Sequence, residues 1–237
     1  SSSFISLSQT TEIYNVPGSI TWICPPGVTS VTIQCWGAGG GGGNSANTYN
    51  NGEHGGGGGA FSESTFSVTS GQTYYLFVGA GGIGGQAFST ASAGDGQDTW
   101  FNIVNSIPTN ISGILAKGGR KGPNNTTSNI VNRGEAVLGF GTIKYSGGNG
   151  LGSYSLGGRG GGSSAGIFSD GTNASSVAGA LAPSGGGNGG NGSTSSTTNG
   201  QPGFPPGGGG GGSDDVKPRT GGSGGNGQIV LNYTPNC

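Results

Sequence analysis

Apolar and polar residues alternate in short runs gathered towards the two ends of the chain. SITWIC places Ile20, Trp22 and Cys24 on one face, and SVTIQCW does the same with Val31, Ile33 and Cys35, the period-two signature of half-buried strands. The PPGVT between them reads as a turn. AFSESTFSV and QTYYLFV follow, joined by Thr69-Ser70-Gly71, which lets Phe66 and Val68 pack near Tyr74, Leu76 and Val78. At the far end QIVLNY carries Ile229 and Leu231 in phase, and a last strand as apolar as the first predicts a sheet closed by the chain's own terminus. TWFNIV, NISGILA, SNIVN and AVLGFG are weaker strand candidates. No segment keeps a helical period over two or three turns, which predicts an all-β and irregular chain with almost no α-helix.

Between the strands lie the glycines. Sixty of the 237 residues are glycine, in blocks such as GAGGGGG, HGGGGGA, GGGNGGNG and PPGGGGGG. Ordering a glycine costs about 0.5–1 kcal/mol more than ordering an alanine, so these tracts either stay loose or lock their bare backbones together. A loose chain is poor in hydrophobics and usually rich in charge; this one is 29% hydrophobic and 7% charged. Collagen is excluded, because the glycines keep no Gly-X-Y phase and prolines number eleven. What remains is a lattice of left-handed helices with three residues per turn, of the polyglycine II type, whose amides find partners in neighbouring helices. Residues 37–60 and 184–227 are expected to be ordered in this way. A larger residue at Gly187 or Gly209 should then be disruptive, and a change at Ser213 mild.

The length is read as one domain, 18–237, preceded by an N-terminal strand or linker, 1–17. Eight Lys+Arg against nine Asp+Glu leave a net charge of −1 with no basic cluster, which argues against nucleic acid and anionic membranes. No apolar stretch approaches the ~18–20 residues that span a bilayer, so no transmembrane segment is expected. A start at Ser1 without Met or a basic leader suggests a trimmed precursor. A surface dense in Ser, Thr, Asn and Gly suits extracellular exposure and sugar contact.

The run GSITWICPPGVTSVTIQCWGAGGGGG, then GGGGGAFSESTFSVTSGQTYYLFVGAGGIGG, ILAKGGRKG and GGSGGNGQIVLNY resembles the glycine-rich domain of bacterial cell-surface proteins and phage tail-fibre adhesins. A related module occurs in the extracellular part of some receptor tyrosine kinases. The resemblance covers about residues 18–234, and PPGVTSVTIQCWGAGGGGG, with Trp36 entering the first glycine block, is its most specific element. It implies a β-sandwich scaffold from which glycine-rich loops run as packed polyglycine II helices, with roles in adhesion or structure and no catalysis. GPNNTTSNIVNRGEAVLGFGTIKYSG departs from that pattern and reads as a variable exposed loop.

Catalytic and metal motifs are weak. His54 is the only histidine and stands in NGEHGGG with no apparent orienting partner for a nucleophile. The three cysteines and one histidine lack zinc spacings, and the many GxGxxG matches lack the strand, helix and acidic residue of a dinucleotide site. AGDGQDTWF, residues 93–101, approximates a calcium nonapeptide, but such sites need stacked copies and here there is one. Asp214-Asp215 reads as a solvated turn. No enzyme activity, metal or cofactor is expected.

Three cysteines are an odd set. A tight hairpin around Pro26-Gly27 would hold Cys24 and Cys35 at least ~13 Å apart, beyond disulfide reach, whereas an arch between opposing sheets would permit the bond. Cys237 is an alternative partner, and buried free thiols are equally compatible. Sequons at Asn110, Asn124, Asn125, Asn173, Asn191 and Asn232 are no more numerous than this Asn- and Ser-rich composition gives by chance.

The expectation is a non-enzymatic extracellular protein, a structural or adhesive subunit of a surface fibre, virion or cell filament. An adhesin at a phage fibre tip would bind a host protein or glycan through Asn47, Tyr49, Asn124, Thr126, Tyr154 and Phe204. A fibre subunit would bind its own copies, with Phe4, Ile5, Leu7, Ile13 and Tyr14 of the first segment adding as an edge strand to a neighbour. A secreted lectin and an ice-binding protein are lesser alternatives.

Overall fold

A computed structural model describes residues 8–44, 53–87, 92–123, 131–152, 157–194, 198–214 and 219–235. Nine strands follow in chain order: β1 Thr10–Tyr14, β2 Gly18–Ile23, β3 Ser30–Trp36, β4 Phe61–Ser67, β5 Thr73–Val78, β6 Thr99–Asn102, β7 Ile114–Ala116, β8 Ile143–Tyr145 and β9 Gln228–Tyr233. The only helical turn among the described residues is a 3-10 turn at Ala136–Leu138. The strands form two antiparallel sheets, ordered β1-β9-β3-β4-β8 and β2-β5-β6-β7, a β-sandwich-like fold.

The period-two residues meet between the sheets. Val31, Ile33 and Cys35 of β3 and Ile229, Leu231 and Tyr233 of β9 face Trp22, Tyr74, Leu76, Val78, Phe101 and Ile114 of the second sheet. Phe66 and Val68 join this core, Phe66 with its ring 5.9 Å from that of Phe101. The opposite parity of the five-stranded sheet carries a smaller cluster. There Trp36 and Phe61, ring centroids 4.8 Å apart, pack with Val230 and Ala165, and the Trp36 indole donates to the Ala165 carbonyl at 3.1 Å.

β2 and β3 are an arch, because they belong to different sheets. Cys24 and Cys35 are both buried and unbridged; Cys237 lies outside the described residues. TWFNIV yields β6 and then bends at residue 103, and NISGILA yields β7. AVLGFG forms the 3-10 turn and a single bridge from Phe140 to Leu115 rather than a strand. SNIVN falls partly outside the described residues, and its described part is not a strand.

One expectation is corrected. The segment read as a variable exposed loop is partly interior: β8 pairs with β4, and Asn132 is fully buried with its amide donating to the Gly55 carbonyl at 2.8 Å. A polar sequence is compatible with burial here because it supplies hydrogen bonds to bare glycine backbone. Of the residues expected to form an assembly strand, Ile13 and Tyr14 lie in β1, which is the edge strand of the five-stranded sheet and pairs with β9, with Thr10 opposite Tyr233 and Tyr14 opposite Ile229. Phe4, Ile5 and Leu7 lie outside the described residues.

Candidate functional site: the glycine bundle and its far end

Glycine segments run away from the ends of the strands and return, and they bond to one another in steps of three. Gly39 donates to Gly225 and Gly42 to Gly222; Gly40 donates to Gly57 and Gly43 to His54; Ala38 donates to Gln97 and Gly41 to Gly94, all at 2.8–3.0 Å. The carbonyls of this segment are spent likewise. Gly39 and Gly42 accept from Gly82 and Gly85, Ala38 and Gly41 from Gly119 and Gly122, Gly40 and Gly43 from Gly210 and Ser213. A segment whose successive amides point to three neighbours and repeat after three residues is a three-fold helix, and the polyglycine II lattice is thereby present. Segments 53–60 and 207–213 touch 37–43 and each other through Gly56 to Gly210 and Gly59 to Gly207, and form the centre.

Only glycine permits this spacing. A Cβ built on Gly40 would stand 2.1 Å from the Arg120 carbonyl oxygen, on Gly58 1.8 Å from that of Ser163, and on Gly187 2.1 Å from that of Phe204. Each bond contributes about 1 kcal/mol net, comparable to the extra entropy lost by one glycine, so the lattice holds only because nearly every amide is used.

Asparagine side chains extend the lattice where it meets its edge. The Oδ1 atoms of Asn149, Asn173, Asn188, Asn191 and Asn226 accept backbone N–H groups of Asn132, Asn149, Ala182, Gly179 and Gly81, as a neighbouring carbonyl would. This role was missed in the sequence, where the same residues figured only as sequons or polar surface. Of the sequons, Asn110 and Asn173 are exposed, Asn191 is exposed with its Oδ1 engaged as above, and Asn232 is half-buried and accepts from Thr11 at 2.7 Å. Asn124 and Asn125 lie outside the described residues.

The far end of the bundle, opposite the sheets, is built from buried polar groups. Asn44, Glu53, His54, Arg159, Ser193, Ser213 and Asp214 are all buried there, and Asn44 donates to the Gln86 carbonyl at 2.6 Å. Backbone bonds tie them together: Arg159 donates to Glu53, Gly212 to Arg159, and Ser213 to Gly43. Asp214 is therefore interior rather than a solvated turn, and its sequence neighbour Asp215 lies outside the described residues. His54 is wholly enclosed, with no exposed face to offer a substrate.

Asn47, Tyr49, Asn124, Thr126 and Tyr154 lie outside the described residues, but the residues flanking them share this end: Gly43 beside His54, Gly122 beside Gly41, Leu151 beside Gly160. Phe204 does not belong with them. It is 60% exposed but precedes the turn at Pro205-Pro206, where Gly207 accepts from Gly59 just before β4, so it sits at the sheet end of the bundle.

Elsewhere an open cleft of about 500 Å³ lies between the outer face of the four-stranded sheet and the base of the bundle, lined by Phe77, Trp100, Asp95, Asp98, Lys117 and Arg120 among others. Its carboxylates are engaged: Asp98 accepts from the Gly118 amide at 2.9 Å and from Lys117 Nζ at 2.5 Å, and Asp95 accepts from the Lys121 amide at 2.9 Å. This is the calcium-like nonapeptide, used here to join two glycine segments. Among the described residues no group of three or more His, Cys, Asp or Glu could hold a metal.

At the sandwich's other rim Glu12 of β1 accepts from the hydroxyls of Tyr14 and Tyr233 and from Trp22 Nε1 at 3.3 Å. Burial pushes its carboxyl up, and the three hydrogen bonds outweigh that and hold it below the usual carboxylate range. No helix among the described residues is long and apolar enough to cross a membrane.

No curated protein matches the chain. A family model described as a glycine-rich domain matches residues 15–234, from the end of β1 to the end of β9. With nearly the whole chain matched and the glycine lattice in place, the protein belongs to the glycine-rich domain family.

Proposed function

We propose that the protein is a non-enzymatic extracellular structural subunit of a surface fibre or filament. One observation carries this reading: the sandwich and the lattice form a body in which three-fold helices, saturated with backbone hydrogen bonds, run side by side from the sheets to a polar far end. Such a body resists extension and bending without needing a charged or apolar surface, which suits a load-bearing element. The enclosed His54 and the engaged Asp95 and Asp98 support a role without catalysis or metal. Bacterial cell surfaces and phage fibres are the setting that the sequence resemblance implies.

A second reading, an adhesin at a fibre tip that binds a host protein or glycan, has its own support. The flanks of residues 45–52, 124–130 and 153–156 share the far end, and the positions proposed for receptor contact, apart from Phe204, fall between those flanks. Electron microscopy of the purified protein and of the native surface or virion decides between them. Filaments built of this chain support the subunit; single copies at fibre ends that bind cells support the adhesin. A dispersed monomer with no affinity for cells or itself overturns both.

A further inference from the structure

β1 is an added strand. It lies outside the family match, which begins at residue 15, and it covers β9, which would otherwise be the edge of the five-stranded sheet. Its ladder is complete, five residues paired with Tyr233 to Ile229, and all of it is to β9. Side-chain anchorage is slight. Ile13 is 58% exposed, Thr11 is exposed and bonds only Asn232, and of the apolar residues Tyr14 alone packs against the core. The remaining hold is Glu12, which takes hydrogen bonds from β9 through Tyr233 and from the opposite sheet through Trp22.

The link that follows is suited to opening. Residues 15–17 join strands in different sheets, no backbone–backbone bond closes them among the described residues, and Val16 is 73% exposed. Gly18, the first residue of β2, closes the link at φ +132°, a backbone conformation that glycine reaches without strain.

We infer that β1 is an exchangeable strand, which leaves its own β9 and pairs in the same register with β9 of a second copy of this chain. The ladder and side-chain bonds that β1 breaks within its own chain re-form on the second copy, so the exchange needs no new complementary surface; its costs are the opening of the link and the entropy of association. When each copy gives its strand to the next rather than returning it, the interface is head-to-tail and does not close, and the product is a filament. A reciprocal exchange gives a closed dimer instead. The inference rests on the fibre-subunit reading and supplies its joint.

Thr11 and Asn232 are directly opposite in the ladder and touch through their side chains at 2.7 Å, within the reach of a disulfide. The test is the full chain carrying Thr11→Cys and Asn232→Cys with Cys237→Ser; Cys24 and Cys35 stay buried. Monomer oxidised before concentration should carry the bond within one chain, and it should remain monomeric while a reduced aliquot assembles. Oxidation of the assembled aliquot should give covalent multimers on a non-reducing denaturing gel. Glu12→Gln, which weakens the hold on β1, should raise the assembly rate several-fold. If locked monomers assemble as readily as reduced ones, or if the assemblies contain only intrachain bonds, the exchange is overturned and the fibre reading survives with a different joint. If the reduced protein never assembles at any concentration, both fall.

Discussion

The Cβ that Gly209 lacks would stand 2.1 Å from the carbonyl oxygen of Gly56, backbone against backbone at the centre of the lattice. Neither segment can yield, because each is bonded to several others. Gly209→Ala is expected to cost more than ~4 kcal/mol, the exceptional end of single substitutions, whereas Ser175→Ala at an exposed position should stay within ~0.5 kcal/mol. Urea denaturation of the two variants checks this. Ser213, which looked a mild position in the sequence, is fully buried and should behave as an interior site.

The rim carboxylate should make stability depend on pH. Glu12 is held below the usual carboxylate range in the folded protein, so its contribution is present above the unfolded value of about 4.3 and is lost as pH falls through the folded one. On the alkaline side burial, then the hydrogen bond and charge of Glu12, push Tyr233 up to about 12. That contribution is present below the unfolded tyrosine value of about 10 and is lost as pH rises through the folded one. Glu12→Gln should lower stability near neutrality by about 1 kcal/mol, solvent screening at this half-exposed site limiting the effect. The variant should also flatten the acid limb of a melting-temperature profile.

Both described thiols should be inert in the folded state. Cys24 and Cys35 are 1% and 0% exposed, and burial pushes both thiols up, so the thiolate that reacts is scarce. Titration with a coloured aromatic disulfide should count at most Cys237 in the native protein and all three cysteines in guanidinium. Rapid reaction of a second thiol without denaturant would contradict the burial of Cys24 and Cys35.

His54 in the sequence is a lone histidine whose loss should leave the fold untouched. Its complete burial reverses that expectation. His54→Ala removes a packed ring and is expected to cost about 2–4 kcal/mol, in the range of other large-to-small interior changes, while an excess of a divalent-metal chelator leaves the melting temperature unchanged. Calorimetry of the variant and of chelated wild type reads both outcomes.

The strands were legible where side chains encode their own direction. Val31, Ile33 and Cys35 alternate because one face of β3 meets the core, and Ile229 and Leu231 do so for β9. β1 was harder to see, since its inward positions are Thr10, Glu12 and Tyr14, of which only Tyr14 packs against the core while Glu12 is held by hydrogen bonds. β8 was hidden in a polar segment for a related reason: Ile143 is exposed, and Tyr145 faces the small outer cluster. The glycine blocks announced that they pack, because ordering them demands compensation, yet which block meets which was illegible. A residue without a side chain leaves no pattern by which to identify its neighbour, so the pairing of Gly40 with Gly57 can be read only from the folded chain.

The step of three between Gly39–Gly225 and Gly42–Gly222 gives the bundle something like a reading frame. Removing one residue from segment 37–43 would turn every later amide by about a third of a revolution, towards a neighbour whose own amides are already committed. Removing three would shorten the helix by one turn and leave each remaining amide aimed at the same neighbouring segment, one turn along it. Length changes inside the glycine segments are therefore expected to be tolerated in triplets, each adding or removing one whole turn.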